Sequence, residues 1–116
     1  MDRRIQKVVA IIEAERNTSA NLSDLARAVN LSVWHLSHLF RREISMSIID
    51  YRRRRRLAKA GRLLESTFLS IKEIMAVMAV NDRSHFTRDF KKSYGLSPTQ
   101  YRRVKEERQG TQGVAS

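Results

Sequence analysis

The chain has 116 residues, no cysteine, one proline and four glycines, and 23 basic against 12 acidic residues leave a formal net charge of +11. This length suits one small domain or two small lobes, and the lack of cysteine excludes disulfides and thiolate metal sites. The charge favours a polyanionic partner, with nucleic acid ahead of an anionic membrane surface. No segment resembles a signal peptide or a membrane span, and strand-like alternation is missing. We therefore expect an all-α, cytoplasmic protein.

The first 46 residues predict a lobe of three helices. Asp2 can cap a first helix, whose apolar residues Ile5, Val8 and Ile12 recur at the spacing of one buried face. A polar segment over residues 17–20 predicts the loop that follows.

A helix-turn-helix pattern completes this lobe. Asn21 with Asp24 marks the start of a short helix, and Asn30 tolerates the left-handed conformation of a tight turn. Ser32 can then cap a helix over about residues 33–44. Two short helices joined by a turn of three or four residues are typical of this motif.

Residues 47–66 predict a long linker helix that carries five consecutive arginines, Arg52 to Arg56. Ser47 and Asp50 form a capping-box-like start, and arginine is a good helix former. At a rise of 1.5 Å per residue the helix would be roughly 28 Å long, which suits a rigid spacer between two lobes. We expect its buried stripe to comprise Ile49, Leu57, Ala60 and Leu64, with Ile48 and Leu63 beside it.

The same pattern returns over residues 67–108. Ser70 with Glu73 forms a capping box, residues 79–82 predict a turn, and residues 83–94 predict a second recognition helix. These parts match the first motif at offsets of 49 and 50 residues, which indicates an internal duplication.

The end of the second lobe has clear local signals. Gly95 suits the end of a helix, and Ser97, Pro98 and Gln100 are typical of the start of another. Residues 109–116 have little apolar content, so we expect a disordered tail. The predicted organisation is a lobe over 1–46, a linker helix over 47–66, a lobe over 67–108 and a tail over 109–116, with about seven helices in all.

The second helix of each motif presents a polar face opposite its apolar one. In the first motif this face comprises Trp34, Ser37, His38 and Arg41. In the second motif it comprises Arg83, Thr87, Arg88 and Lys91, with Ser84 at its edge. A tryptophan on a polar face indicates a partner, although packing of Trp34 against a neighbouring helix is the alternative. Because such faces occur twice at matching positions, they predict a surface that reads the major groove.

The sequence also resembles the AraC/XylS family of bacterial transcription regulators over about residues 5–103. The similarity is carried by short motifs, namely 22–26, 31–32, 34–36 with 39–40, Tyr51, 56–57, Ala60, 63–64, Thr67, 70–71 with 73–74, 84–86, Arg88, 90–91, Gly95, 97–98 and 101–102. In length the chain is similar to the stand-alone multiple-antibiotic-resistance and superoxide-response activators of that family. The resemblance implies two helix-turn-helix lobes whose recognition helices enter successive major grooves of an asymmetric site.

Roles carried over by position are implications of this resemblance. It implies that bases are read by Trp34, Ser37 and His38 in the first lobe and by Arg83, Ser84, Thr87 and Arg88 in the second. Phosphate contacts are expected from Arg41, Arg42, Arg54, Lys91 and Lys92. Arg56 matches the arginine of the family's linker helix, so we expect it to be mostly buried and paired with a carboxylate.

Five residues depart from the family pattern. Asn30 and Ser45 replace glycines, Ala79 with Val80 replaces a Gly-Phe pair, and Arg52 replaces a leucine. If the backbone of Ala79 requires a positive φ, alanine is strained there.

The residues support other function classes less well. No histidine has a nearby activated serine or cysteine in sequence, and no glycine-rich phosphate loop is present, so we expect neither an enzyme nor a cofactor. His35 and His38 could share a metal only with further ligands that the surrounding sequence does not offer, so we expect no metal site. Arginines interrupt the apolar stripe that a membrane-surface helix would need. We therefore predict a sequence-specific, double-stranded-DNA-binding transcription regulator that acts as a monomer, with RNA polymerase as a candidate second partner. Non-specific nucleic-acid compaction is the main alternative.

Overall fold

The computed structural model describes the backbone of residues 1–14 and 21–115, with side chains up to Gln109. In this part of the chain every regular element is an α-helix, which confirms the predicted all-α fold. The helices are α1 (Arg3–Ala14), α2 (Leu22–Ala28), α3 (Val33–Ile44), α4 (Ile48–Ser66), α5 (Ile71–Val77), α6 (Arg83–Tyr94) and α7 (Pro98–Ala115). The loop expected over 17–20 lies outside the described residues. None of these helices is long and apolar enough to cross a membrane.

Local capping explains where several helices begin. In each capping box the first side chain accepts a hydrogen bond from the backbone N–H three residues later, and the later side chain accepts one from the N–H of the cap. The predicted boxes of this kind are Asn21–Asp24, Ser70–Glu73 and Ser97–Gln100. At the start of α4 the Oγ of Ser47 accepts from the N–H of Asp50 at 3.1 Å. These contacts are local in sequence, so the sequence alone could predict them.

The chain divides into two compact units, Met1–Arg55 (unit 1) and Arg56–Ser116 (unit 2). The boundary lies inside α4, so the first half of this helix belongs to unit 1 and the second half to unit 2. The long helix is therefore not a separate spacer, because each half contributes side chains to one hydrophobic core.

The core of unit 1 is formed by α1, α2, α3 and the start of α4. Its buried residues are Ile5, Val8, Ile12, Leu25, Ala26, Val29, Leu36, Leu39, Phe40 and Ile48. Ile48 is 5% exposed and Ile49 is 64% exposed, so the prediction that Ile49 lies on the buried stripe is wrong. That prediction assumed one stripe along the whole helix. Ile48 and Leu57 are nine residues apart, about half a turn out of phase, so one stripe cannot contain both.

The core of unit 2 is formed by the second half of α4 with α5, α6 and α7. Its buried residues are Leu57, Ala60, Leu64, Ile74, Met75, Met78, Phe86 and Phe90. The ring of Tyr94 stacks on Phe90 with centroids 4.3 Å apart, and Tyr101 meets Phe90 edge-on at 5.4 Å. A Cβ at Gly61 would lie 2.7 Å from the hydroxyl oxygen of Tyr94. Gly61 is therefore the residue that lets the Tyr94 ring approach α4.

The duplication extends beyond the two helix-turn-helix motifs. At an offset of 52 residues, the buried positions of α1 match those of the second half of α4, namely Ile5 with Leu57, Val8 with Ala60 and Ile12 with Leu64. At an offset of 50, α3 and the start of α4 match α6 and the start of α7. Each unit is thus a set of four helical segments with the same order of buried positions.

A polar contact is repeated with the same offsets. The hydroxyl of Tyr51 donates to Glu13 Oε1 at 3.2 Å in unit 1, and the hydroxyl of Tyr101 donates to Glu65 Oε1 at 2.9 Å in unit 2. The cations near these carboxylates are Arg55 at 3.9 Å and Lys105 at 3.0 Å. Hydrogen bonds from Lys105 and Tyr101 lower the pKa of Glu65. Two main causes raise the pKa of Tyr101 to about 12: first the burial of its hydroxyl, and second its hydrogen bond to Glu65.

Left-handed backbone occurs at matching positions of the two units. The φ angle is 58° at Asn30 and 55° at Ala79, the turns before the recognition helices, and 69° at Ser45 and 78° at Gly95, the ends of those helices. Ala79 therefore adopts the positive φ in which a non-glycine residue is strained, by roughly 1–2 kcal/mol.

The last helix is longer than predicted. We expected a disordered tail over 109–116, but the structure continues α7 to Ala115. The difference has a local reason, because no proline follows Pro98 and Gly110 and Gly113 weaken a helix by about 1 kcal/mol each without ending it.

Candidate nucleic-acid interface

Helix α3 is the first of two helices with an exposed polar face. Ser32 caps it, since its Oγ accepts from the N–H of His35 at 3.0 Å. Leu36, Leu39 and Phe40 are buried, and their periodicity directs the other side of the helix to solvent.

The exposed face of α3 contains an ordered aromatic pair. Trp34 is 68% exposed, which contradicts the alternative that it packs against a neighbouring helix. Its ring stacks on that of His38, with centroids 3.9 Å apart and an angle of 27° between the planes. The Nδ1 of His38 lies 2.8 Å from the carbonyl oxygen of Trp34. Ser37 is half-buried beside them and Arg41 is exposed, so the predicted first-lobe residues form one surface.

Helix α6 presents the corresponding face in unit 2. Asp82 caps it by accepting from the N–H of His85 at 3.0 Å, and Phe86 and Phe90 hold it in the core. His85 also lies 3.3 Å from Asp89, on the next turn. The predicted base-reading residues lie on the accessible side, where Arg83, Ser84 and Arg88 are exposed and Thr87 is half-buried.

Exposed cations follow these faces at the C-terminal ends of both helices. Arg41 and Arg42 lie in the last turn of α3, and Lys91 and Lys92 lie in the last turn of α6. All four side chains are exposed. Cations stabilise the negative end of a helix dipole, and they also attract a polyanion such as DNA. These residues therefore stabilise the ends of the two helices, and their exposure leaves them accessible to a phosphate backbone.

The arginine run divides into residues with carboxylate neighbours and residues that face solvent. Arg53 lies 3.3 Å from Asp50, and Arg55 lies 3.9 Å from Glu13. Arg54 is exposed, as a phosphate contact requires. Arg56 is also exposed, so its expected burial is wrong. Its position next to Leu57 suggested burial, but the side chain points away from the unit 2 core because adjacent helical residues project about 100° apart.

The structural arginine of unit 2 is Arg102, a role that the sequence did not predict. Its guanidinium donates to the backbone oxygen of Leu64, at the end of α4, and to those of Thr67 and Leu69, between α4 and α5. The only signal for this role is that Tyr101-Arg102 repeats Tyr51-Arg52 at an offset of 50. The cap residue Asp82 was also missed, although it stands where Ser32 stands in the first motif.

The described residues contain no group of three or more side chains that could hold a metal ion. His35 and His38 thus have no set of carboxylate or cysteine ligands in this part of the chain, and the imidazole of His38 is engaged with Trp34. Both helices present an accessible polar face.

Comparison with known proteins identifies the family to which this chain is similar. A family model described as a helix-turn-helix domain matches residues 25–104, which include α3 and α6. The chain is 31% identical over 98 residues to the HTH-type transcriptional activator AarP of Providencia stuartii, covering 84% of this chain and 73% of AarP. It is also 31% identical over 109 residues to the arabinose operon regulatory protein of Escherichia coli K12, covering 93% of this chain.

The chain spans little more than a third, 37%, of the arabinose operon regulatory protein. Among solved structures, it resembles the C-terminal domain of the two-component response regulator yesN from Fusobacterium nucleatum, with a TM-score of 0.78 and 31% identity. That match covers 87% of this chain and 99% of the domain. With a helix-turn-helix match over most of its length and two exposed recognition helices, the chain belongs to the AraC family of sequence-specific DNA-binding transcription regulators.

Proposed function

We propose that α3 and α6 enter successive major grooves of one DNA duplex and read its bases directly. The observation that carries this proposal is the repeat of an exposed polar face at an offset of 50 residues, each on a helix whose other side is fixed in a core. The residues assigned to base reading are Trp34, Ser37, His38, Arg83, Ser84, Thr87 and Arg88. Their hydrogen-bonding groups and the indole ring match the groups that base edges present in the major groove.

Phosphate contacts position these helices and contribute most of the salt-dependent affinity. We assign this role to Arg41, Arg42, Arg54, Lys91 and Lys92. All five are exposed cations, and the formal net charge of +11 supports strong attraction to a phosphate backbone.

The two reading faces differ in chemistry, which favours an asymmetric site bound by one copy of the chain. The face in unit 1 has an aromatic pair, whereas the face in unit 2 has Arg83 and Arg88. Because a single chain carries both faces, a second copy is not needed. We propose that it acts in the cytoplasm as a monomeric activator and that RNA polymerase is its protein partner, as the family suggests.

Selection of bound sites from a random duplex library tests the proposal. We expect an enriched site with two half-sites about 10–10.5 base pairs apart, centre to centre. Arg88→Ala should relax the preference at one position by about 1–3 kcal/mol. Arg54→Ala should weaken binding to all sequences similarly and reduce the salt slope by about 1.

An exposed arginine outside the assigned surface, Arg3 on α1, provides the matched control. Arg3→Ala should leave both the enriched site and the salt slope unchanged. If the parent protein enriches no sequence, it is a non-specific nucleic-acid-compacting protein and the proposal of direct base reading is wrong.

A further inference from the structure

The aromatic pair on α3 fixes the orientation of one imidazole ring. His38 stacks against Trp34 with ring centroids 3.9 Å apart, and its Nδ1 is 2.8 Å from the carbonyl oxygen of the same residue. The two residues are four positions apart, where helical side chains are neighbours. One face and one nitrogen of the imidazole are therefore engaged inside the helix, while the side chain as a whole is exposed.

This hydrogen bond determines which nitrogen carries the proton. A backbone carbonyl oxygen can only accept, so Nδ1 of His38 must be the donor. In an uncharged imidazole the other nitrogen then has a free lone pair and can only accept. No hydrogen bond from the described residues engages Nε2. The reading face of α3 thus presents a fixed acceptor to a bound base.

The equivalent position of the second recognition helix has the opposite polarity. At the offset of 50 residues His38 corresponds to Arg88, which is exposed on α6. A guanidinium group has donors and no acceptor, and its preferred base edge in the major groove is the O6 and N7 of guanine. The two units therefore place an acceptor and a donor at the same place in one repeated framework.

We propose that His38 reads an exocyclic amino group through the lone pair of Nε2, which makes it a specificity-determining residue for adenine or cytosine. Only these two bases present an amino donor in the major groove, at N6 and N4 respectively. The proposal rests on the proposed function, since it requires α3 to lie in that groove. Besides its assigned base reading, Trp34 also positions His38, because its carbonyl oxygen selects the tautomer and its ring restrains the imidazole.

Site selection with His38 variants tests this polarity. The parent protein should enrich one base pair at one position of the half-site bound by unit 1, and this pair identifies the amino group that is read, N6 of adenine in an A·T pair or N4 of cytosine in a G·C pair. Removal of that amino group, with purine in place of the adenine or 2-pyrimidinone in place of the cytosine, should weaken binding by the parent about 2- to 12-fold, as expected for one hydrogen bond. His38→Ala should lose the preference and should not respond to loss of the amino group. His38→Arg should not respond to it either, because a guanidinium has donors and no acceptor.

His35 provides a matched control, because it is an exposed histidine on the same helix and is not assigned to the reading surface. His35→Ala should keep the preference of the parent protein. Thermal unfolding of each variant should match the parent, since both side chains are exposed.

The base preference at the half-site bound by unit 2 distinguishes failure of the His38 proposal from failure of the proposed function. If His38→Ala retains the base-pair preference of the parent, or if loss of the amino group weakens its binding as much as it weakens binding by the parent, the reading by His38 is wrong. In either case a preserved unit 2 preference leaves the proposed function intact. If no preference exists in either half-site, the proposed function itself fails.

Discussion

Units 1 and 2 share the same framework of helix-to-helix contacts and differ in some core side chains and in their exposed faces. Both have a tyrosine that donates to a glutamate of the first helical segment, Tyr51 to Glu13 and Tyr101 to Glu65. Both place a phenylalanine against that tyrosine edge-on, at 5.6 Å in unit 1 and 5.4 Å in unit 2. The contacts that recur join helices far apart in sequence, which indicates that they define the packing of the unit.

The two units differ in the sizes of paired core residues and in the chemistry of the exposed face of the recognition helix. Where unit 2 has Gly61 and Tyr94, unit 1 has Val9 and Ile44 at the same offsets. A glycine and a tyrosine can fill about the same space as two aliphatic side chains, because packing depends on the summed volume. The framework therefore tolerates paired exchanges in the core, and the solvent-facing side of the recognition helix is free to change its chemistry.

The largest expected effect comes from changing the register between the units. Insertion of one alanine between Arg55 and Arg56, at the boundary inside α4, turns everything after it by about 100° and moves it about 1.5 Å along the axis. Contacts within each unit are kept. If one site engages both reading faces, specific affinity should fall by at least about 10³-fold towards the non-specific level.

Affinities for the selected site and for random DNA measure this effect at one salt concentration. Random-DNA binding should persist because the charge is unchanged. An alanine inserted after Gln109, beyond the assigned surface, is the control. Unaltered specific binding after the first insertion would show that the units read DNA independently.

Loss of the structural arginine should destabilise unit 2 substantially. Arg102→Ala removes the donor to three backbone oxygens at the end of α4 and in the α4–α5 turn, and we expect a loss of about 2–4 kcal/mol in the free energy of unfolding. Urea unfolding measures it. Arg52→Ala, at the matching position of unit 1, should be similarly costly if the repeat includes this role. Parent-like stability of Arg102→Ala would contradict the assignment.

The equivalence of the two core pairs can be tested with one substitution that creates a clash and a second substitution that relieves it. Gly61→Val should cost about 1–3 kcal/mol, because its side chain would meet the ring of Tyr94. Combined with Tyr94→Ile, which copies the pair in unit 1, the same substitution should cost less than the sum of the two single changes. Unfolding free energies of the four proteins give this coupling. Simple additivity would refute the idea that the pairs are equivalent.

Substitution at the left-handed turns should change the stability by a smaller amount, and in the stabilising direction. Ala79→Gly should stabilise the protein by about 1 kcal/mol, because φ is 55° there and glycine adopts this conformation without strain. Asn30→Gly, at the matching turn of unit 1, should change stability less, since asparagine tolerates that region. Thermal unfolding distinguishes the two. A destabilised Ala79→Gly protein would mean that the methyl group makes a contact that outweighs the strain.

The smallest effect on stability is expected from removal of the Glu65 carboxylate, which contacts both Lys105 and Tyr101. The pKa of Glu65 is lowered in the folded protein, so its contribution is present above the pKa of the unfolded chain and is lost as the pH falls through the folded pKa. Glu65→Gln should lower stability by about 1 kcal/mol at neutral pH, since the group is partly exposed. This difference should shrink as the pH falls below about 4.3, the ordinary pKa of glutamate, and should vanish once the pH lies below the lowered pKa of the folded protein. A difference that is constant down to about pH 2 would refute the electrostatic origin.

Sequence alone determined the helices, their starts and the polar faces of α3 and α6. These features depend on local spacing, on capping residues such as Ser32 and Ser70, and on apolar periodicity, all of which act within a few residues. It also revealed the duplication, because matching residues recur at offsets of 49 and 50. The strain at Ala79 could be anticipated from the glycine that the family pattern has there.

Tertiary structure decided the features that depend on contacts between distant residues. The sequence predicted Ile49 and Arg56 as inward-facing, but α4 serves two cores, and packing buries Ile48 while Arg56 is exposed. Arg102 acts on a turn 33 to 38 residues away, a relation that no local pattern contains. The Trp34–His38 pair is close in sequence, but helical spacing alone does not specify the rotamers that stack the two rings.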